Sequence, residues 1–172
     1  MWDRKVYTYY STTKAVQETG RRPIKLKWID TNKGDAANPL VRSRLVCTEV
    51  RRKGMESIFA ATPPLDSLKA FIVKAASQWG RTGMELSLQL IDVSRAHFYA
   101  QAVRDVFIQL PPEDPQAANG DLVGKLDRTM YGTLDAAERW AEHYSQILVQ
   151  AGFRRGTASP CHFYHPSRDL WV

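Results

Sequence analysis

Two short stretches that alternate apolar and charged residues, separated by a turn cluster, constrain this chain more than any other feature. Residues 23–30 read Pro-Ile-Lys-Leu-Lys-Trp-Ile-Asp, and residues 41–50 read Val-Arg-Ser-Arg-Leu-Val-Cys-Thr-Glu-Val. A period of two sends successive side chains to opposite faces, so each stretch reads as a half-buried strand. Between them lies Thr31-Asn32-Lys33-Gly34-Asp35, whose Asn and Gly tolerate left-handed backbone. The expected unit is a β-hairpin carrying Lys25, Lys27, Lys33, Arg42 and Arg44. Such a hairpin suits a phosphate clamp, and equally an edge guarded by charge against aggregation.

The excess charge of the chain is concentrated there. The net charge is +6 over 172 residues. Residues 1–58 hold 13 Lys and Arg against 6 Asp and Glu, and the remainder holds 11 against 12. A one-sided basic block points to a phosphate-rich partner, because Lys and Arg displace condensed counterions; a solvated basic surface is the plainer alternative. Aromatic residues make up 10% of the chain, which excludes wholesale disorder. No apolar run approaches the roughly 20 residues of a membrane helix. The start, MWDRKVYTYY, lacks the apolar centre of a signal peptide, so the expectation is a soluble, intracellular chain that is not secreted. Cys47 and Cys161 match no zinc spacing and are too few for a disulfide framework; they read as core thiols.

Further along, Leu68, Phe71, Ile72, Ala75, Ala76 and Trp79 form the apolar stripe of a core helix, with Asp66 as N-cap and Gly80 as stop. Glu85–Val93 is the clearest strand, with Leu86, Leu88 and Leu90 alternating up to Asp92. A carboxylate where an apolar strand emerges serves either as a hard oxygen ligand for Mg²⁺ or as a capping group. Val106–Leu110 reads as a strand stopped by Pro111-Pro112, and Asn119-Gly120 as part of a surface loop. A second helix spans Thr133–Ala151 and ends at Gly152. Cys161–Tyr164 and Leu170–Val172 read as two arms of a hairpin about His165-Pro166-Ser167. These segments give an α+β fold. His143, His162 and His165 have no neighbouring spacing that closes a zinc site. Neither a G-x-S-x-G elbow nor a phosphate-binding G-x-x-x-x-G-K-[ST] loop is present.

Taken in order, the segments from about Ile24 to Phe163 resemble the reverse transcriptase domain of copia-type LTR retrotransposon polyproteins. Arg42-Ser43-Arg44-Leu45-Val46 is similar to the family's K-A-R-L-V block, and Phe59-Ala60-Ala61-Thr62-Pro63 to its F-A-P-V-V. Leu90-Ile91-Asp92-Val93-Ser94-Arg95-Ala96-His97-Phe98 resembles Q-x-D-V-x-x-A-F, and Phe107-Ile108-Gln109-Leu110-Pro111-Pro112 resembles Y-M-x-Q-P-P. Met130-Tyr131-Gly132, with Ala136 and Trp140, looks like L-Y-G-L-K-Q-A-x-x-x-W. Ala151-Gly152-Phe153 and Ser159-Pro160-Cys161-His162-Phe163 look like L-G-F and S-D-P-C-L-F.

The resemblance implies a right-hand polymerase in which an antiparallel sheet is backed by helices. Residues 1–22 would be an N-terminal extension, 23–84 the fingers and 85–172 a palm incomplete before the family's x-D-D motif. The family's chemistry is two-Mg²⁺ nucleotidyl transfer from dNTP onto a DNA primer along an RNA template. Asp92 would be the catalytic metal carboxylate, with Val93 touching metal through its carbonyl. Arg44 and Arg42 would hold triphosphate oxygens, because the planar guanidinium can pair them bidentately. His97 stands where the family carries an aromatic that screens the sugar 2′-position, and Tyr131 lies in the Tyr-Gly motif. Asp135 replaces the family's Gln near the incoming phosphates, and would repel substrate unless it turns away or is neutralised.

One metal carboxylate cannot hold two ions, so the 172 residues alone are expected not to polymerise and to be poorly soluble through an unpaired palm strand. The resemblance also implies a polyprotein with integrase and ribonuclease H segments, in a cytoplasmic virus-like particle or the nucleus. The alternatives are a decayed or retained non-catalytic nucleic-acid-binding fragment, and an unrelated small basic RNA-binding α/β domain. The latter needs aromatics exposed on a sheet face.

Overall fold

The computed structural model describes residues 5–51, 60, 62–78 and 88–172. The chain divides into two compact units, residues 1–59 with 95–143 and residues 60–94 with 144–172. The elements are mixed α and β, and among the described residues the named strands pair antiparallel, with one isolated parallel bridge, Ile24↔Ile108.

In the first unit, β1 (Tyr7–Ser11) runs directly into α1 (Thr12–Thr19), which ends where Gly20 takes φ +62° and its N–H reaches the Val16 carbonyl. These elements occupy the segment that the sequence offered only as an extension, and Val6 and Ala15 are fully buried there. The basic hairpin forms as expected: β2 (Leu26–Asn32) pairs with β3 (Val41–Cys47) in the register Leu26↔Cys47 to Asn32↔Val41. Asn32 closes its turn, since its side-chain oxygen accepts from the Gly34 and Leu40 N–H groups. β4 (Phe107–Ile108) and β5 (Leu122–Leu126) follow, and β5 lies centrally between β1 and β4. The base of the hairpin is tied to this sheet through Ile24, whose N–H and carbonyl bond Phe107 and Gln109. Val6, Leu45, Cys47, Val106, Ile108, Leu126 and Met130 form the core under both. Burial pushes the Cys47 thiol up to about 12, consistent with a packing role rather than a reactive one. Cys161 is only partly buried.

The second unit contains α2 (Leu65–Gln78) and a small sheet of β6 (Arg154–Arg155), β7 (Phe163–His165) and β8 (Leu170–Trp171). The expected hairpin about His165-Pro166-Ser167 is present, with Tyr164 opposite Trp171. α3 (Ala136–Gln150) begins in the first unit and ends in the second, where Gly152 at φ +96° lets Phe153 N–H reach the Leu148 carbonyl.

Two expectations fail here. Over its described part, residues 88–93, the segment read as the clearest strand has no regular structure, and Leu90 is 100% exposed. Alternation makes a strand only where a neighbour completes the hydrogen-bond ladder, and no described strand pairs with it. Glu85 and Leu86 lie outside the described residues. Likewise α2 is not a core helix over its described length: Leu68 and Ile72 are each half exposed. The adjoining sheet is too small to cover a whole helical stripe, its strands being two or three residues long. Trp79 and Gly80, and Phe59 and Ala61 of the proline-terminated motif, lie outside the described residues.

Candidate nucleotide-binding site

The hairpin sorts its charge by face. Residues directly opposite each other in an antiparallel pair point the same way, and the side alternates along each strand. The register Lys27↔Val46, Ile29↔Arg44 and Thr31↔Arg42 therefore puts Lys27, Arg42 and Arg44 on one face. The opposite face carries Leu26, Leu45 and Cys47, which pack into the core, and the strands' one carboxylate, Asp30. Arg42 is exposed and Arg44 half-buried; among the described residues neither has an ion-pair partner.

The Tyr-Gly motif closes on the end of this hairpin. Cys47 N–H donates to the Tyr131 carbonyl at 2.7 Å. Gly132, at φ +85°, lies so near that a β-carbon there would meet the Cys47 carbonyl oxygen at 1.9 Å. Only glycine fits both the backbone conformation and the space. Tyr131 in turn receives the rings of His97 and Phe98 edge-on, at centroid distances of 4.5 and 5.9 Å. His97 comes from a short 3₁₀ turn, Ala96–Tyr99, and its Nδ1 lies 3.1 Å from the Ala136 carbonyl oxygen at the start of α3. Burial pushes the His97 imidazolium down, only partly offset by that backbone contact, so the ring is neutral near pH 7.

Asp135 is drawn into an ion cluster rather than presented. Arg104 Nε and Nη2 grip its two oxygens at 2.9 and 2.7 Å. The same guanidinium spans Glu49 at 3.0 Å through both terminal nitrogens. Glu49 accepts a further bond from Leu134 N–H at 2.8 Å. The side chains of Asp135 and Glu49 are only 8% and 10% exposed. Burial alone pushes the Asp135 carboxyl up, but the Arg104 hydrogen bonds outweigh it and hold the group below the usual carboxylate range. The same bonds, with those to Glu49, push the Arg104 guanidinium further up, so it stays charged. The Asp135 carboxylate thus turns into a half-buried ion cluster in which one guanidinium serves two carboxylates.

His97, Tyr131 and the segment around Asp135 are therefore brought together, and the end of β3 joins them through the Cys47 N–H, with Glu49 two residues beyond it. Among the described residues, no hydrogen bond or ion pair links Arg42 or Arg44 to that junction. Asp92 and Val93 belong to the second unit and are exposed on the irregular segment 88–93. Asp92 offers one hard oxygen donor, and the described residues contain no group of three His, Cys, Asp or Glu that could hold a metal ion. Arg104 and Glu49 went unread in the sequence. Asp135 called for a cation, but 31 residues of separation give no sign of which one.

A family model for reverse transcriptase (RNA-dependent DNA polymerase) matches residues 7–167. A Pol polyprotein described as retrovirus-related, from transposon TNT 1-94 of Nicotiana tabacum, is 24% identical over 150 residues. That alignment covers 84% of this chain and 11% of the relative. No solved structure matches the chain. The match begins at β1 and runs through the hairpin, the Tyr-Gly junction, α3 and β7, so the residues of the candidate site lie within it. The chain belongs to the reverse transcriptase (RNA-dependent DNA polymerase) family.

Proposed function

We propose that this chain is the fingers (23–84) and part of the palm (85–172) of a copia-type RNA-directed DNA polymerase. The observation that supports this reading best is the charge-sorted hairpin. Lys27, Arg42 and Arg44 share a face from which the only strand carboxylate is excluded, as a triphosphate site requires. Arg44 and Arg42 hold triphosphate oxygens, while the neutral His97 and Tyr131 form an apolar wall beside the sugar. Asp135 is turned away from the incoming phosphates, because both its oxygens are held by Arg104.

Magnesium, when bound, stabilises the attacking and leaving oxygens of the displacement. This chain contributes the Asp92 carboxylate and the Val93 carbonyl; a two-ion site needs further donors. The 172 residues alone therefore incorporate no nucleotide, while template, primer and dNTP are partners of the whole polyprotein, with integrase and ribonuclease H segments and a life in particles or the nucleus. A second reading, a retained nucleic-acid-binding fragment without catalysis, draws on the exposure of Asp92 on an unpaired segment.

Primer extension on an RNA template separates the two. In a longer polyprotein segment, Asp92→Asn should cut incorporation on the order of a thousandfold, since metal stabilisation contributes several kcal/mol. Unchanged incorporation would remove Asp92 from the metal site. Asp92-dependent incorporation by the 172-residue chain would overturn its inactivity.

A further inference from the structure

The two arginines of the basic face stand beyond the point where the hairpin is last held. Its base is fixed by Ile24, by Thr48 N–H and Oγ, which both donate to the Lys25 carbonyl, and by Cys47 on Tyr131. Nearer the turn, Trp28 lies opposite Leu45, a buried core residue. There the Trp28 Nε1–H donates to Glu113 Oε1 at 3.1 Å. Among the described residues this is the hydrogen bond nearest the turn that ties the hairpin to the rest of its unit. Arg44 and Arg42 lie one and three positions further out, opposite Ile29 and Thr31. At roughly 3.3 Å per residue, Arg42 is about 10 Å past Trp28. A small rotation at Trp28 is therefore a displacement at the arginines.

Glu113 can hold the hairpin because the residue after it is itself held. Beyond Pro111 and Pro112 the chain turns, with Asp114 N–H on the Pro111 carbonyl at 2.9 Å. Asp114 is only 3% exposed. Its Oδ2 accepts from Tyr7 OH at 2.5 Å, and its Oδ1 accepts from Tyr9 OH at 3.0 Å and from Gln116 N–H at 2.7 Å. Both tyrosines belong to β1, which pairs with the central strand β5. Burial and the carboxylate push both phenols up, so they stay protonated and donate. Asp114 thus pins the loop to the sheet, and the exposed Glu113 reaches from it to the hairpin. Trp28 leaves β2 on the face opposite Lys27, Arg42 and Arg44. The loop therefore holds the hairpin from its apolar side and leaves the basic face open.

We propose that Glu113 is a positioning residue: through Trp28 it fixes the attitude of the hairpin against the β1–β5–β4 sheet, and with it the place of Arg42 and Arg44. Only the consequence for an incoming triphosphate rests on the polymerase reading. The bond itself carries little stability, because both partners reach solvent; its effect is on direction, which a bidentate guanidinium contact needs.

The first test is made on the 172-residue chain, by residual dipolar couplings of its backbone amides. In the parent, β2 and β3 should fit the same alignment tensor as β1 and β5. In Glu113→Ala and in Trp28→Phe the hairpin couplings should shrink and leave that tensor, while the urea midpoint of Glu113→Ala stays at the parent's. Glu113→Gln, whose amide oxygen still accepts from the indole, should match the parent. The second test is primer extension by a longer polyprotein segment. Glu113→Ala should raise KM for dNTP about fivefold at unchanged kcat, the worth of one hydrogen bond. Adding Trp28→Phe should raise it no further, since both changes remove the same bond. Hairpin couplings that stay on the parent tensor in Glu113→Ala overturn the proposal, and so do effects of the two substitutions that multiply. An unchanged KM in a segment whose extension depends on Asp92 overturns it too, and leaves the polymerase reading standing. Where extension does not depend on Asp92, that reading fails and the couplings alone decide.

Discussion

The junction between the hairpin and α3 and the segment that carries Asp92 are built on opposite principles. At the junction, nearly every polar group has a partner: Tyr131 accepts from Cys47 N–H, Leu134 N–H and Arg104 share Glu49, and Arg104 grips Asp135. Across residues 88–93 the backbone belongs to no ladder, and Leu88, Leu90 and Ile91 face solvent at 61%, 100% and 81% exposure. The difference teaches how the two kinds of site residue are held. The side chains proposed to contact nucleotide sit on a scaffold that the described residues complete, whereas the carboxylate proposed to hold metal lies on a segment with which no described strand pairs.

The sharpest way to break this contrast is Gly132→Ala. A left-handed backbone and a carbonyl oxygen 1.9 Å from the new β-carbon force the Tyr-Gly turn off the hairpin. The expected cost is about 3 kcal/mol or more in urea unfolding. A loss under about 1 kcal/mol would mean the junction is not closely packed.

Arg104→Met comes next. It strands two carboxylates with little access to water, and because the Arg side chain itself is 31% exposed the expected cost is about 2–3 kcal/mol. Adding Asp135→Asn should restore part of it, so a double-mutant cycle reads the coupling directly. Strict additivity would deny the ion cluster any cooperative role.

Acid should then weaken the parent chain through Asp135. Its folded carboxyl lies below the ordinary value near 3.8, so the unfolded state binds the proton more readily. The stability it contributes is complete above about pH 4 and is lost as pH falls through the folded value. Asp135→Asn should flatten that part of the stability profile. His97 adds a slope of the same sign at higher pH. Its folded imidazole titrates below the ordinary 6.5, so its contribution is present above that pH and erodes as pH falls towards the folded value. His97→Gln should remove it, and a profile identical to the parent's would contradict the buried neutral ring. The smallest effect belongs to the other region: Leu90→Lys should change stability by no more than about 0.5 kcal/mol. A larger loss would show that Leu90 is buried against something.

Where the fold was legible, the reason was local. The hairpin could be read from two periods of alternation and one turn whose Asn32 side chain caps it, and the end of α3 from Gly152. β1 was not legible, because Tyr7–Ser11 shows no clean alternation and its partner β5 lies more than a hundred residues away. Residues 88–93 failed for the complementary reason: the pattern specified a strand, but a pattern cannot supply its neighbour. At the site, His97, Tyr131 and Asp135 were identified from motif positions, and the need to neutralise Asp135 followed from its charge. Arg104 and Glu49 were invisible, since a half-buried ion cluster between distant segments leaves no spacing to read.

The contrast itself is tested most directly by hydrogen–deuterium exchange resolved to single amides in the 172-residue chain. The amides of Cys47, Ile24 and Leu134, which bond Tyr131, Phe107 and Glu49, should be protected to the level of cooperative unfolding. Those of residues 88–93 should exchange at near-intrinsic rates. Protection across 88–93 matching that of β3 would show Asp92 already set in a paired strand, and would contradict the account.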